Sequence, residues 1–133
     1  MIDFTPPTKI LLHPSERGGM GVFCKEKIFQ KEIIEICYLH DLKISLKEGH
    51  TNKLHWDYRF LFPRYEPTSY VIPWGYGCIY NHSDTPNADW KDYPGEFGFI
   101  FFALKDIEPG EEICTYYGND DYWKQRSNIN KIS

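Results

Sequence analysis

The sequence predicts a mostly β protein with little helix, and three observations support this. Apolar residues occur in short runs rich in β-branched and aromatic side chains, such as EIIEICYL and FGFIFFAL, which favour strands. Turn residues separate the runs, among them two Pro–Gly pairs. The 133 residues are one domain's length. We therefore expect a single domain over residues 1–133, with a core at about 8–123 and a tail, 124–133, that frays.

The first half of the chain is predicted to contain three strands. We place them at Lys9–Leu12, Val22–Cys24 and Glu32–Leu39. The segment ERGGMG is typical of a turn before the second strand, and IFQKE of a turn before the third. The polar stretch 41–53 has the composition of a loop with some helix. The aromatic period of 54–62 fits a strand or a helix equally well.

The second half is predicted to hold further short strands. One covers YVIP, and a glycine-punctuated segment then leads into NHSDTPN. Pro94-Gly95 marks a hairpin-like turn. The run Phe97–Leu104 is continuously apolar, which predicts a strand buried on both faces. The last strand is expected at Glu112–Tyr117.

Composition excludes several classes of protein. The net charge is −4, whereas nucleic-acid-binding domains usually carry a basic face; an acidic chain suits a basic partner instead. The N-terminal MIDFTPPTKI has no long apolar run, so we expect neither signal peptide nor membrane span and an intracellular location. The four cysteines form no C-x-x-C pair. We therefore expect free thiols rather than disulfides, and no metal.

Two familiar motifs fail on inspection. GGMG lacks the third glycine of a dinucleotide-binding G-x-G-x-x-G motif, because the sequence continues GMGVFC. His82, Ser83 and Asp84 carry the residue types of a hydrolase triad. Because neighbours in sequence point apart, we expect them to form no relay.

Three segments remain as candidate site residues, and each has a simpler explanation when taken alone. GGMG lets a small molecule approach the backbone closely, or is a plain turn. NHSDTPN offers donors and acceptors to a polar ligand, or is a capped turn. PGEEICTYYG places two tyrosines at a strand end, or contributes aromatic packing.

Taken together and in this order, the segments resemble the SET domain family of protein-lysine methyltransferases. The matching residues are Gly19-Met20-Gly21-Val22-Phe23, Asn81-His82-Ser83 with Pro86-Asn87, and Gly110-Glu111-Glu112-Ile113 with Tyr117-Gly118. The greatest similarity is to the small stand-alone SET proteins of large DNA viruses, through DYRF (57–60), NHSDTPNA (81–88) and DDYW (120–123).

The resemblance implies a fold and an activity. The fold is a set of small curved sheets around a C-terminal pseudoknot, in which the NHS strand packs against the last strand. The activity is transfer of a methyl group from S-adenosylmethionine to a lysine of a basic protein, with a histone tail as the leading candidate. A non-histone substrate and a non-catalytic binding module remain alternatives. A histone substrate would imply a nuclear location, and the viral relatives imply a homodimer.

The resemblance also assigns residues to the cofactor. The Asn81 side chain and the His82 backbone are expected to hold S-adenosylmethionine. Gly19, Met20 and Gly21 are expected to line its methionine end with their backbone. Trp123 is expected to cover the adenine, since the chain lacks the Cys-rich zinc segment that serves this purpose in many nuclear members.

Tyrosines carry the expected catalytic roles. Tyr117 is the expected catalytic tyrosine, and Tyr58 is expected near the cofactor carboxylate or the substrate channel. Tyr116 should point to the opposite side of its strand and pack. Thr115 stands where the family often has Phe or Tyr, so the number of methyl groups added is left open. Acidic residues near the site, at 84, 111, 120 and 121, suit a basic substrate or are simply a solvated surface.

Overall fold

The computed structural model describes residues 5–43 and 58–118. Nine strands are defined in these two ranges, and almost no helix is found there. In chain order they are β1 (Ile10–Pro14), β2 (Met20–Cys24), β3 (Ile33–Asp41), β4 (Phe60–Phe62), β5 (Ser69–Pro73), β6 (Asn81–His82), β7 (Ala88–Asp92), β8 (Gly98–Ala103) and β9 (Glu112–Thr115). The mostly β fold class is confirmed.

The strands form two sheets. The smaller has the order β1-β2-β9-β6 and the larger has the order β4-β5-β3-β8-β7. Strand β9 runs antiparallel to β2 and parallel to β6. In the sheet, β9 therefore lies between β2, which comes from the start of the chain, and β6, which comes from its middle. The expected pairing of the NHS segment with the last strand is confirmed.

The two sheets share one apolar core. Val22 and Ile113 from the smaller sheet belong to the same buried cluster as Phe99 and Phe101 from β8. Strand β8 is buried on both faces as predicted, with five of its six residues buried and Phe102 half-buried. This core fixes one face of the smaller sheet, which leaves the opposite face of β2 and β9 for polar chemistry.

Several strand boundaries differ from the prediction. β1 begins at Ile10 and runs on to Pro14, and β2 begins at Met20, inside the segment predicted as a turn. The antiparallel ladder explains both shifts, because Pro14 pairs with Met20 and extends the two strands together. β9 ends at Thr115 rather than at Tyr117. Residues 44–57 and 119–133, which include Trp123 and the tail, lie outside the described residues.

The four cysteines are free thiols, as predicted. Burial raises the pKa of Cys78 to about 12. Burial, with a smaller contribution from the nearby Glu112 carboxylate, raises the pKa of Cys114 to about 11. Both therefore stay protonated near neutral pH. Among residues 5–43 and 58–118 there is no group of three or more His, Cys, Asp or Glu placed to hold a metal ion, and no helix long and apolar enough to cross a membrane.

Candidate active site

The three candidate segments meet at the edge of the smaller sheet. β6 carries Asn81 and His82, and β9 lies between it and β2, which begins at Met20. The Asn81 side-chain amide spans the distance directly and donates a hydrogen bond to the Met20 carbonyl at 3.3 Å. The structure thus brings together the Asn81 side chain and the Met20 backbone, two of the groups that the resemblance assigned to one ligand.

Glu112 joins these elements. Its Oε2 accepts a hydrogen bond from Asn81 Nδ2 at 2.7 Å, and its Oε1 accepts one from Ser15 Oγ at 2.7 Å. Arg17 Nε lies 3.9 Å from Oε1. The Glu112 side chain is 14% exposed, so these partners offset most of the cost of burying its charge. The carboxylate therefore fixes the Asn81 amide and the turn between β1 and β2 in one arrangement.

Glycine at position 21 is required by this arrangement. A Cβ atom there would lie 2.4 Å from Glu112 Oε2 and 3.1 Å from Asn81 Nδ2. Both distances are shorter than ordinary van der Waals contacts. Gly19 differs, because it has a φ of +58° and open space around its Cα. Gly19 is thus needed for the turn, and Gly21 for the close approach of Glu112.

Arg17 holds the backbone of the NHS segment. Its Nη1 donates a hydrogen bond to the His82 carbonyl at 2.8 Å. ERGGMG was predicted as a turn whose glycines let a small molecule approach the backbone, and no role was predicted for the Arg17 side chain. A basic residue beside a glycine pair was the available signal, but its partner is 65 positions away.

An open cavity of about 600 Å³ lies on this face of the smaller sheet. It is lined by His13, Pro14, Glu16, Arg17, Phe23, Gly110 and Glu112. Its volume is in the range of small-molecule sites, which runs from about 300 to 1,000 Å³. Charged groups of both signs line it, so it suits a ligand that carries both signs of charge.

Tyr117 is tied to the NHS segment through His82. The Tyr117 backbone N–H donates to His82 Nδ1 at 2.9 Å, and His82 Nε2 lies 2.8 Å from Asp84 Oδ1. Because Nδ1 accepts, the neutral ring carries its proton on Nε2 and donates it to the carboxylate. The expectation that neighbouring residues point apart is wrong for His82 and Asp84, since a bend follows β6. Ser83 makes its hydroxyl contact with Thr85 instead, so no Ser–His relay forms.

The hydroxyl of Tyr117 donates a hydrogen bond to the backbone carbonyl of Tyr80. Tyr117 is half-buried, whereas Tyr116 is 42% exposed and its ring centroid lies 5.2 Å from that of His82. Tyr116 thus packs against the His82 ring at the surface, and the Tyr117 ring contacts the same imidazole, with centroids 5.5 Å apart. Of the two tyrosines, Tyr117 has the fixed hydroxyl.

The remaining predicted site residues have less defined surroundings. Tyr58 is 45% exposed, and its carbonyl accepts a weak hydrogen bond from Cys78 Sγ at 3.7 Å. Cys78 lies three residues before Asn81. Thr115 is buried, and its carbonyl accepts the Ser83 N–H at 2.9 Å. Glu111 caps its own turn by accepting the Glu108 N–H. Trp123 and the acids at 120 and 121 lie outside the described residues.

Asn87 closes the NHSDTPN segment onto β9. Its Oδ1 accepts the Cys114 N–H at 2.8 Å, and its Nδ2 donates to the Glu112 carbonyl at 2.9 Å. The Asn87 side-chain amide therefore bonds two backbone groups of β9 in the way that a neighbouring strand would. Asn87 belongs to the predicted motif, but its role could not be predicted because its partners are more than twenty positions away.

We expect Asn87→Ala to lower the free energy of unfolding by about 1–3 kcal/mol, because it leaves the Cys114 N–H and the Glu112 carbonyl without their partner. Urea denaturation would measure the change. Asn87→Asp serves as the companion variant, since it keeps the acceptor and loses the donor, and should also destabilise. Superimposable unfolding curves for all three proteins would contradict the role given to this amide.

Comparison with known proteins decides the family. The sequence profile of the SET domain matches residues 19–118. The chain belongs to the SET domain family. The match begins at Gly19 and ends at Gly118, so it spans the three segments that meet at the site.

Two proteins similar to this SET domain are named as histone methyltransferases. It is 29% identical to a "Histone-lysine N-methyltransferase, H3 lysine-37 specific" from Schizosaccharomyces pombe, over 92% of this chain and 82% of the relative. A solved structure of a candidate histone methyltransferase from Plasmodium falciparum superposes with a TM-score of 0.67 at 32% identity. That alignment covers 85% of this chain and 96% of the other.

Proposed function

We propose that this SET domain protein is an S-adenosylmethionine-dependent protein-lysine N-methyltransferase that acts on a histone tail. The observation that carries the proposal is the convergence of Tyr117, His82 and Asn81. Asn81 and His82 form β6, and Tyr117 lies two residues after β9. Hydrogen bonds join the Tyr117 backbone to His82, and the Asn81 side chain to Met20 and Glu112. A fixed hydroxyl beside a cradle of polar groups, here Asn81 with Glu112, is typical of an active site, and Glu112 also lines the neighbouring cavity.

The charged residues that line the cavity fit S-adenosylmethionine. The cofactor carries one carboxylate and two positive groups, an ammonium and a sulfonium. Among the residues that line the cavity, Arg17 supplies a cation for the cofactor carboxylate. Glu16 and Glu112 supply anions for its ammonium and sulfonium groups. Because Gly21 has no side chain, the Glu112 carboxylate and the Asn81 amide can lie close to the backbone of β2. Gly19, Met20 and Tyr58 remain proposed contacts of the cofactor, with Trp123 as its proposed cover.

The cofactor supplies an electrophilic methyl group, and the protein must supply a neutral amine in the right place. A free lysine titrates near 10.4, so removal of its proton at pH 7 costs about 4.6 kcal/mol at about 1.36 kcal/mol per pKa unit. The proposed channel, walled by tyrosines, would lower that cost because burial disfavours the charged amine. The lysine ammonium would first release one proton to solvent. The neutral amine, held beside Tyr117, would then take the methyl group that bound S-adenosylmethionine supplies, with the sulfur keeping the electron pair of the broken bond.

Tyr117 would position the amine in this scheme. Its hydroxyl is held by the Tyr80 carbonyl and its backbone by His82, so the oxygen has a fixed location. Positioning supplies most of the rate enhancement in a reaction that needs no covalent intermediate. Tyr58 is proposed as a second wall of the channel.

A histone is the favoured substrate because both relatives are named for histone methylation. The net charge of −4 suits a Lys-rich tail. A nuclear location follows from this substrate. The similarity to viral stand-alone SET proteins, and the homodimer it implies, remain predictions from the DYRF, NHSDTPNA and DDYW segments.

Labelled S-adenosylmethionine with core histones tests the proposal. We expect label to enter one histone, and mass spectrometry of the product to give the lysine and the methyl count. A panel of ribosomal and other basic proteins is assayed beside it. Label only in that panel would replace the histone with another substrate. Cofactor binding by calorimetry without transfer to any protein would indicate a binding module, and absence of cofactor binding would overturn the proposal.

A further inference from the structure

A buried carboxylate lies behind the site, in a place that the proposed chemistry does not use. Glu35 is on β3 and is 4% exposed. Its Oε1 accepts a hydrogen bond from the Tyr80 hydroxyl at 2.5 Å, and its Oε2 accepts one from the Tyr76 N–H at 3.4 Å. Burial raises the pKa of Glu35. A buried acid is costly unless it is hydrogen-bonded, so its presence in an otherwise apolar core calls for a role.

The loop before β6 is folded closely around this carboxylate. Gly75 has a φ of +83°, and a Cβ atom at this position would lie 2.8 Å from Glu35 Oε2. A Cβ atom at Gly77 would lie 2.6 Å from the Pro73 ring. The two glycines thus let the loop approach β3 and β5 closely, and Glu35 is the polar group on which the loop is anchored.

Tyr80 connects this anchor to the site. Its side chain is 1% exposed and its ring stacks on Phe101, with centroids 4.8 Å apart and planes at 25°. The hydroxyl at the far end of that ring is held by Glu35, and the backbone carbonyl of the same residue accepts the hydroxyl of Tyr117. Both ends of Tyr80 are therefore fixed, one in the core and one at the site.

We propose that Glu35 is a positioning residue for methyl transfer, acting through Tyr80. Its carboxylate holds the Tyr80 phenol, and this fixes the Tyr80 carbonyl that orients the Tyr117 hydroxyl. The proposal rests on the proposed function for its kinetic consequence. Its structural content, the dependence of the Tyr117 hydroxyl on Glu35, can be measured without turnover.

Three single variants separate the contributions. Tyr80→Phe removes the hydroxyl and keeps the ring. Glu35→Leu removes the acceptor at similar size, and Glu35→Gln keeps an amide oxygen that can accept from Tyr80. Tyr70→Phe is the matched control, a buried tyrosine on β5 outside this chain of contacts. We expect kcat to fall about 10-fold in Tyr80→Phe and Glu35→Leu with KM for the cofactor nearly unchanged, because misplacement of a positioned group lowers the rate. Glu35→Gln should recover most of that loss.

Repeating Tyr80→Phe in a Tyr117→Phe background gives the decisive comparison. If Glu35 and Tyr80 act through the Tyr117 hydroxyl, Tyr80→Phe should lower kcat only when that hydroxyl is present. An equal loss in both backgrounds would mean that the pair supports the fold in general, and would overturn the proposal.

A spectroscopic measurement keeps the test independent of activity. With tyrosine labelled with ¹³C at Cζ, the Tyr117 resonance is assigned from its absence in Tyr117→Phe. We expect it to shift in Tyr80→Phe and Glu35→Leu, and to stay near the wild-type position in Glu35→Gln and Tyr70→Phe. A resonance that stays in place in every variant would overturn the proposal. A protein that shows these shifts but transfers no methyl group would instead contradict the proposed function.

Discussion

Replacing Tyr117 by phenylalanine is expected to lower kcat for methyl transfer by about 100-fold or more, since misplacement of a reacting group by about 1 Å can cost this much. The change removes the hydroxyl that Tyr80 fixes. It leaves the contact with His82 in place, because that contact is made by the backbone N–H. The expected signature is a loss of kcat with little change in the affinity for S-adenosylmethionine, measured by calorimetry.

Tyr116→Phe is the control for this experiment. Tyr116 is adjacent in sequence, equal in chemistry and exposed, with its ring against His82 rather than its hydroxyl in the site. Its kcat should stay within about twofold of wild type, as for a surface substitution. Equal losses in the two variants would show that the tyrosine pair stabilises the strand end. Full activity in Tyr117→Phe would remove the catalytic role from this residue.

Local patterns predicted most of the strands but not their ends; no strand was predicted at β7, and the segment that contains β4 was left open between strand and helix. Runs such as EIIEICYL and FGFIFFAL carry enough β-branched and aromatic residues to specify a strand wherever they pair. The start of β2 at Met20 depends instead on its partner, because Pro14 continues the ladder into glycine-rich sequence. The end of β9 likewise follows from the two-residue length of β6, its parallel partner.

The candidate site was predicted from the order of three segments, and its connections could not have been predicted in the same way. Ser15 and Glu112 are 97 positions apart, and Tyr80 and Glu35 are 45 apart. No periodicity in the sequence links such pairs, since each arises from the sheet order. The contact of His82 with Asp84 joins residues only two positions apart, and a rule for close neighbours excluded it. The rule that neighbours point apart holds along a regular strand, and the chain bends after His82.

Gly21→Ala is expected to weaken S-adenosylmethionine binding by about 10-fold or more, because Gly21 allows the close approach of Glu112 in the proposed cofactor site. The added Cβ would lie 2.4 Å from Glu112 Oε2, so the carboxylate must move and lose its hydrogen bond with Asn81. Breaking a contact of this kind costs about 1–3 kcal/mol, and about 1.4 kcal/mol corresponds to tenfold in affinity. Calorimetry with S-adenosylmethionine measures the change.

The neighbouring position supplies the control that makes this result specific. Met20 is 47% exposed, and the contact it makes with Asn81 is through its backbone carbonyl. Met20→Ala should therefore leave the affinity within about twofold of wild type. The fold of Gly21→Ala should survive, because the atom that must yield is the end of a side chain rather than the backbone, and urea denaturation would verify this. If Met20→Ala weakened binding as much as Gly21→Ala, the affinity would depend on side-chain contacts of the whole turn. Unchanged affinity in Gly21→Ala would place the cofactor away from the Glu112–Asn81 cradle.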